Sequence, residues 1–206
     1  RQSLVGSEMC IRDRLRPEAA EYMSSLMGPA RNPSSIHSFG RSSKVILETA
    51  RADLAELAVG DASGFIFTSS GTEANNTALL GFGKVITCSV EHSAILEARP
   101  DAQKIGVGND GEINLSELDL ALRQAKKSGE EILVSVMLVN NETGRIQTIE
   151  KLLEVCQFYN VAFHSDMVQA LGKIPIKLNE WSRSGLTMAS FSAHKIGGPP
   201  GVGALW

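Results

Sequence analysis

The chain has 206 residues, of which 43% are hydrophobic and 21% charged, a composition typical of a globular protein and unlike that of a disordered or collagen-like chain. Its 20 Lys and Arg residues against 23 Asp and Glu residues give a formal net charge of −3, without the basic excess that nucleic acids and anionic membranes attract. The longest apolar runs, such as 132–139, are too short to span a bilayer. We therefore expect no nucleic-acid partner and no membrane segment.

The cysteines indicate a reducing compartment. Cys10, Cys88 and Cys156 are too few and too dispersed for a disulfide framework, and no Cys-x-x-Cys pair suggests a zinc site. We therefore expect a cytoplasmic protein without a metal ion.

Residues 1–14 show neither helical nor strand periodicity and join abruptly to a helical pattern. Because they also lack the apolar stretch and the small-residue cleavage site of a signal peptide, we interpret them as a non-native or artefactual segment. The folded domain is expected to cover residues 15–206.

The next residues predict two helices separated by a loop. A short helix is expected over 17–27, and residues 28–40, rich in Pro, Ser, Asn and Gly, are expected to form the loop. Apolar residues then recur at helical spacing at Ile46, Ala50, Leu54 and Leu57, and Gly60 is predicted to end that helix.

Beyond residue 64, short apolar runs alternate with helical patterns. Strands are predicted at 65–67, 85–87, 132–139 and 161–163. Helices are predicted at 72–80, at 93–98 and around the apolar stripe Ile149, Leu152, Leu153 and Cys156. This alternation predicts an α/β fold, a three-layer sandwich with a mostly parallel central sheet between helices.

Sheets of this kind bind ligands beyond the carboxyl ends of their strands, so the residues that follow each strand are candidates for a site. Three segments stand out: 68–72, 164–166 and 190–195. A Gly106-x-Gly108-x-x-Gly111 string matches the dinucleotide fingerprint by letters only, because Asn114 and Glu117 predict that a turn and a capped helix start follow it.

Each candidate residue also has an ordinary structural interpretation. The start of a helix at 69–73 can hold a phosphate, or Thr72 can simply cap that helix. Asp166 can be a functional acid or a strand-end cap, Lys195 a nucleophile or a surface charge, and His92 a catalytic group or a helix-start residue. Together, a phosphate cradle, an acid on a central strand and a lysine after a later strand are what pyridoxal 5′-phosphate requires.

Six segments in chain order carry a more specific pattern. They are 32–37 (NPSSIH), 68–76 (TSSGTEANN), 91–92 (EH), 139–144 (VNNETG), 164–169 (HSDMVQ) and 192–195 (SAHK). Taken together, they resemble the cysteine desulfurases, class V aminotransferase-type enzymes that depend on pyridoxal phosphate. The resemblance covers residues 17–206 and implies the large domain of a fold-type-I pyridoxal-phosphate enzyme and a homodimer.

The resemblance also implies a role for each matching residue. Lys195 carries the cofactor covalently and moves the proton at the substrate Cα, while His92 stacks on the cofactor ring and takes part in proton transfer. Asp166 pairs with the pyridine nitrogen, and Asn141 and Gln169 lie near the phenolic oxygen and the substrate. The phosphate is held by four residues, Gly71, Thr72, Ser192 and His194.

The sequence departs from the family pattern at both ends. An opening strand with an Asp-x-x-Ala-Thr-Thr run is expected where residues 1–14 stand, and the chain stops 11 residues after Lys195. The small C-terminal domain, the arginine for the substrate carboxylate and the loop with the nucleophilic cysteine are therefore expected to be absent. None of Cys10, Cys88 and Cys156 matches that cysteine.

The resemblance implies conversion of L-cysteine to L-alanine, with persulfide sulfur passed to an acceptor protein, such as a scaffold for iron–sulfur clusters, or used for thio-cofactors. Two alternatives stay open at this point. One is another class V member, a selenocysteine lyase or an aminotransferase, and the other is a cofactor-binding fragment without turnover.

Overall fold

The computed structural model describes residues 14–28 and 32–206. Within them, seven helices are found: α1 (Pro17–Leu26), α2 (Ser38–Ala58), α3 (Gly71–Leu79), α4 (Ser93–Leu96), α5 (Leu115–Ala125), α6 (Ile149–Tyr159) and α7 (Leu178–Arg183). The same residues form seven strands: β1 (Ile66–Thr68), β2 (Lys84–Cys88), β3 (Gln103–Ile105), β4 (Ile132–Ser135), β5 (Ala162–Asp166), β6 (Leu186–Ser192) and β7 (Gly203–Leu205). Cys10 and residues 1–13 of the predicted non-native segment lie outside the described residues.

The strands form one sheet in the order β1-β7-β6-β5-β4-β2-β3. Strand β7 is antiparallel to both of its neighbours, and every other pair between β6 and β3 is parallel. The predicted α/β class with a mostly parallel sheet is confirmed. No helix within residues 14–28 and 32–206 is long and apolar enough to cross a membrane.

Apolar side chains cover both faces of the sheet, which produces the three layers. Along β4, Val134 belongs to the large cluster that includes residues of α5 and α6, whereas Leu133 packs with Leu79 of α3 and Ile95 near the end of α4. Successive strand residues point to opposite faces, so helices lie on both sides of β4. The nearly continuous apolar sequence of this strand follows from that double coverage.

Helices α5 and α6 begin and pack as their sequences predict. The Asn114 side chain accepts hydrogen bonds from the backbone N–H groups of Ser116 and Glu117, which caps α5. Gly111 lies in a turn with a φ of 77°. The turn and capped helix start that we predicted in place of a dinucleotide fingerprint are confirmed, and the predicted apolar stripe of α6 is buried.

Strand β4 is shorter than predicted. It ends at Ser135 rather than at residue 139, although Val136 and Leu138 still donate backbone hydrogen bonds to the carbonyl oxygens of His164 and Asp166. The continuous apolar run extends beyond the regular ladder because residues 136–138 are buried while the chain leaves the sheet to form a loop.

The prediction for α2 is wrong at both ends. The helix begins at Ser38, inside the predicted loop, and the left-handed residue that ends it is Val59, with a φ of 49°, rather than Gly60. Gly60 allows close packing, since an added Cβ would lie 3.0 Å from Leu178 Cδ1. The buried face is formed by Ala55 and Ala58, and Leu57 is 50% exposed.

Strand β1 begins at Ile66, one residue later than predicted. Phe65 follows the short 3₁₀ turn at 62–64 and is buried in the core, with its ring centroid 5.9 Å from that of Phe191. A run of three apolar residues does not show by itself which residue packs in the core before the strand and which residue is the first to pair in the sheet.

Candidate active site

A cavity of about 400 Å³ opens at the carboxyl ends of the parallel strands. All nine residues predicted for the site line it, and the complete lining is Ser70, Gly71, Thr72, Asn75, His92, Ala94, Met137, Asn141, Asp166, Val168, Gln169, Ser192, His194 and Lys195. The structure therefore brings together residues that lie more than 120 positions apart in the chain. This is the position at which parallel α/β sheets bind ligands.

Asp166 ends β5 and is only 6% exposed. Its Oδ1 accepts a hydrogen bond of 2.9 Å from the Val168 backbone N–H, and its Oδ2 accepts one of 2.6 Å from Asn75 Nδ2. Burial raises the pKa of Asp166, while these two hydrogen bonds and the nearby His92 and Lys195 act in the opposite direction. A buried acid with several partners favouring its anion is a candidate for pairing with a cation.

The start of α3 forms one wall of the cavity. Ser70, not Thr72, caps this helix, because its hydroxyl accepts a hydrogen bond of 3.0 Å from the Glu73 N–H. The first helical hydrogen bond is donated by Ala74 to the Ser70 carbonyl, so the N–H groups of Gly71 and Thr72 precede the helical ladder. Such N–H groups bind anions.

A glycine is required at the start of α3. A Cβ added to Gly71 would lie 2.9 Å from Val168 Cγ2 and 3.2 Å from Ser192 Cβ. Its absence lets the helix start approach the end of β6. The donors of α3 and the Ser192 hydroxyl consequently belong to the same part of the cavity.

Lys195 lies on a hydrogen-bonded turn directly after β6. The 3₁₀ turn spans 193–195, and the N–H groups of Ile196 and Gly198 both donate to the Ala193 carbonyl oxygen, at 3.0 and 2.9 Å. At the start of the turn, Ser192 Oγ and His194 Nδ1 are 2.8 Å apart. The backbone that carries Lys195 is thus fixed to the rigid sheet.

His92 precedes α4 and caps it. The His92 Nδ1 accepts a hydrogen bond of 3.1 Å from the Ala94 backbone N–H. An amide N–H can only donate, so Nδ1 carries no proton in this arrangement. His92 is therefore both a helix-start residue, as one interpretation of its sequence proposed, and a residue that lines the cavity.

Loop 140–144 and the turn after β5 complete the lining. The Asn140 side-chain oxygen accepts hydrogen bonds from the N–H groups of Glu142 and Thr143, which fixes the loop around Asn141. Gln169 Oε1 accepts a hydrogen bond of 3.0 Å from Lys173 Nζ.

Sequence reasoning assigned no role to two buried residues of this region. Asn75 donates to Asp166, and the carboxyl group of Glu91 accepts a hydrogen bond of 2.6 Å from the Met137 N–H. Burial raises the pKa of Glu91 well above its usual range. Both residues lie within the segments 68–76 and 91–92 that carried the family resemblance, which was the available signal.

The residues of the cavity fit pyridoxal 5′-phosphate in their chemistry. Backbone N–H groups and hydroxyls at the start of α3 and the end of β6 suit a phosphate, and the space left by the missing Cβ of Gly71 brings them together. Asp166 suits a protonated ring nitrogen, and Lys195 supplies the amine that an aldehyde requires. The nine residues predicted for the site would therefore suit this cofactor in their chemistry.

Comparison with known proteins gives consistent matches. The family model described as Aminotransferase class-V matches residues 15–206. The chain is 40% identical over 190 residues to "Cysteine desulfurase IscS" of Dictyoglomus turgidum, a match that covers 85% of this chain and 46% of that protein. The chain therefore spans about half the length of this curated relative.

Two solved structures show the same fold. A NifS-like protein from Rickettsia africae is 35% identical and superposes with a TM-score of 0.86 over 94% of this chain and 55% of that one. A structure described as "SspA in complex with cysteine" is 26% identical, with a TM-score of 0.84 over 95% of this chain and 58% of that one. These similarities agree with the expected fold-type-I large domain.

Proposed function

Because the chain belongs to the aminotransferase class-V family, we propose that it is the cofactor-binding part of a cysteine desulfurase. Pyridoxal 5′-phosphate is the cofactor of this family. The proposal rests above all on one observation, that Lys195, Asp166 and the start of α3 line a single cavity. Residues 15–206 constitute this cofactor-binding domain in our proposal.

Lys195 and Asp166 do the central chemistry. Bound pyridoxal phosphate would supply an aldehyde for the amino group of an amino acid and a ring that withdraws electrons from the bonds at the Cα. Lys195 holds the cofactor between turnovers, and its amine moves the proton at the substrate Cα. The Asp166 carboxylate keeps the pyridine nitrogen protonated, which maintains the electron-withdrawing character of the ring.

The other residues of the cavity bind and orient. Gly71, Thr72, Ser192 and His194 would hold the phosphate, whose charge hydrogen-bond donors and the helix start would stabilise. His92 would stack on the ring and exchange a proton through Nε2, because Nδ1 is engaged in the cap of α4. Asn141 and Gln169 would lie near the phenolic oxygen and the substrate.

The overall reaction converts L-cysteine and a protein thiol into L-alanine and a protein persulfide. The Cβ–S bond breaks, the thiol sulfur forms the new S–S bond, and a proton is delivered to the substrate carbon. A relative with this fold has been solved in complex with cysteine, which supports cysteine as the substrate. The persulfide sulfur then passes to an acceptor protein, for iron–sulfur clusters or thio-cofactors.

Cys88 and Cys156 are not the receiving thiol. Both are buried, and burial raises their pKa values to about 11 and about 12, so that the reactive thiolate is not formed at neutral pH. Neither cysteine lines the cavity.

We further propose that the protein is a homodimer of a reducing compartment such as the cytoplasm. Exposed apolar side chains on and next to α1 and α2 support self-association: Tyr22, Met27, Ile36, Phe39 and Val45. The two described cysteines are free thiols, which is compatible with a reducing environment.

Titration of the purified chain with pyridoxal phosphate tests the proposal. A visible absorbance band is expected in the wild type and in Lys151→Ala, a variant of an exposed lysine on α6, but not in Lys195→Ala. L-cysteine should change the band of the wild type. Equal bands in wild type and Lys195→Ala would overturn the assignment of the cofactor site.

The full-length protein tests the reaction itself. With L-cysteine and a reducing thiol it should form alanine and sulfide in equal amounts. Formation of alanine only from selenocysteine would instead identify a selenocysteine lyase, and transfer of the amino group to a keto acid would identify an aminotransferase.

A further inference from the structure

One polar contact of the cavity joins two buried side chains that are 91 positions apart in the chain. Asn75, on the inward face of α3, is 2% exposed, and its Nδ2 lies 2.6 Å from Asp166 Oδ2. Helix α3 packs against β6, the strand next to β5, which Asp166 ends. The contact therefore links the helix that starts the phosphate cradle to the acid at the end of β5.

The chemistry of this contact depends on the charge of Asp166. An ionised carboxylate only accepts hydrogen bonds, and an amide nitrogen only donates them, so the Asn75 amide must present its nitrogen to the anion. A hydrogen bond to a charged group is stronger than one to a neutral group. Asn75 consequently stabilises the ionised form of Asp166 more than the protonated form, against the burial that favours the protonated form.

The other end of the amide gives a second, independent observation. Among the described residues, Asn75 Oδ1 is a buried oxygen with no hydrogen-bond partner. An unpaired buried oxygen destabilises the fold, so the stability of the fold does not explain an asparagine at this position. An apolar residue of similar volume would pack there without that penalty. The hydrogen-bond donor Nδ2 is thus what asparagine provides here and an apolar residue of similar volume would not.

We propose that Asn75 is a positioning residue that holds the Asp166 carboxylate ionised and oriented toward the cavity. The Val168 N–H occupies Oδ1 and the Asn75 amide occupies Oδ2. Each carboxylate oxygen has two lone pairs, so acceptor capacity remains for a cationic ring nitrogen. The pairing of Asp166 with a ring nitrogen rests on the proposed function, whereas the effect of Asn75 on Asp166 does not.

The other titratable groups around Asp166 are Glu91, His92 and Lys195. Glu91 raises the pKa of a neighbouring acid only when it is itself ionised, and burial raises the pKa of Glu91 well above its usual range, which weakens this effect. His164 lies two residues earlier on β5, and burial lowers its pKa to about 3, so it stays neutral above that pH. Lys195 favours the Asp166 anion together with Asn75, as does His92 when its ring is protonated.

The first test uses the chain without cofactor and compares melting temperatures at several pH values. Asn75→Leu removes the donor at similar volume, and Asn75→Ala, which also lacks a side-chain donor, is the second variant if the leucine prevents folding. Without the donor the pKa of Asp166 rises further, so the loss of melting temperature should be small near about pH 4 and should grow toward about pH 8. In an Asp166→Asn background this growth with pH should vanish.

Asn76→Leu is the matched control, because Asn76 is the exposed neighbour on the same helix. Its effect should not depend on pH. An equal loss for Asn75→Leu at every pH, or a loss whose pH dependence survives in Asp166→Asn, would show that Asn75 only fills space.

The second test measures the affinity of the chain for pyridoxal phosphate. Asn75→Leu should weaken binding roughly tenfold or more, because Asp166 loses a hydrogen bond that stabilises its anion, with the larger loss at low pH. Unchanged affinity in Asn75→Leu would overturn the link to the cofactor. If the wild-type chain bound no pyridoxal phosphate, the proposed function would fail, while the melting experiment would still decide the relation between Asn75 and Asp166.

Discussion

In our proposal, His92 combines a structural task, the cap of α4, with a chemical one. Its Nδ1 accepts from the Ala94 N–H and caps α4, which leaves Nε2 as the nitrogen that carries the proton. We predict that ¹⁵N NMR of the chain at neutral pH shows the Nε2–H tautomer for His92. A protonated Nδ1 in the neutral ring would contradict the cap and the proton path through Nε2.

The same contact predicts the cost of two substitutions at residue 92. Asparagine is a good N-cap residue and should preserve α4, whereas His92→Ala should lower the free energy of unfolding by about 1 kcal/mol relative to His92→Asn. Denaturant unfolding of both variants measures the difference. Equal stability would show that the cap contributes nothing.

The buried cysteines give a prediction of reactivity. With pKa values raised to about 11 and about 12, Cys88 and Cys156 should not react with a thiol reagent at neutral pH while the protein is folded. A Cys10→Ser variant isolates these two thiols, and both should react once denaturant is added. Rapid modification of either cysteine in the native protein would make that cysteine a candidate sulfur carrier.

The residues that follow the strands could be predicted from the sequence, but their supporting contacts could not. Asp166 and Lys195 lie within a few residues of the ends of apolar strands, and the rule that ligands bind at strand ends selects them. Asn75 and Glu91 act through partners 91 and 46 positions away, and no local pattern shows such a distance. Their roles emerge only when helix and strand are packed together.

At the scale of the elements, His164 joins three neighbouring strands. Its Nδ1 lies 2.9 Å from Ser135 Oγ on β4, and its Nε2 lies 2.9 Å from Ser190 Oγ on β6. Both ring nitrogens are thereby satisfied in a fully buried position, and burial lowers the pKa to about 3. The neutral ring thus links three central strands of the sheet through hydrogen bonds, two residues before the cavity residue Asp166 on β5.

This buried histidine predicts an acid sensitivity. Its pKa in the folded chain is lower than the ordinary value of about 6.5, so the unfolded chain binds more protons between these pH values. The stability advantage of the wild type over His164→Gln should therefore shrink as the pH falls from about 6.5 toward about 3, by about 1.4 kcal/mol per pH unit.

Denaturant unfolding across that pH range measures the effect. His37→Asn is the matched control, because His37 is exposed and caps α2 through Nδ1, a task that asparagine can perform. A constant difference between wild type and His164→Gln would show that His164 is not the titrating group.

The existence and order of the elements could be predicted better than their ends. The stripe of α6 and the cap of α5 are local patterns, and both are confirmed. The end of β4 depends on where the chain leaves its neighbour, and the end of α2 depends on the close approach of Leu178 to Gly60. Both boundaries are decided by packing between distant segments.

At the scale of the whole molecule, the exposed apolar residues around α1 and α2 predict association. Phe39 and Val45 lie on α2 and are exposed. Sedimentation should show that the chain forms dimers or larger species, and Phe39→Glu with Val45→Glu should shift it toward the monomer. Glu48→Lys, a change at an exposed charged position of the same helix, should not. A wild-type chain that stays monomeric at high concentration would contradict the proposed homodimer.

The central claim is that the amine of Lys195 meets the cofactor in the cavity that Asp166 lines. Borohydride reduction of the chain loaded with pyridoxal phosphate, followed by mass spectrometry of its peptides, tests this most directly. We predict that the added cofactor mass lies on the peptide containing Lys195 and that Asp166→Ala reduces its amount strongly. Labelling spread over exposed lysines, or located at another single lysine, would contradict the account.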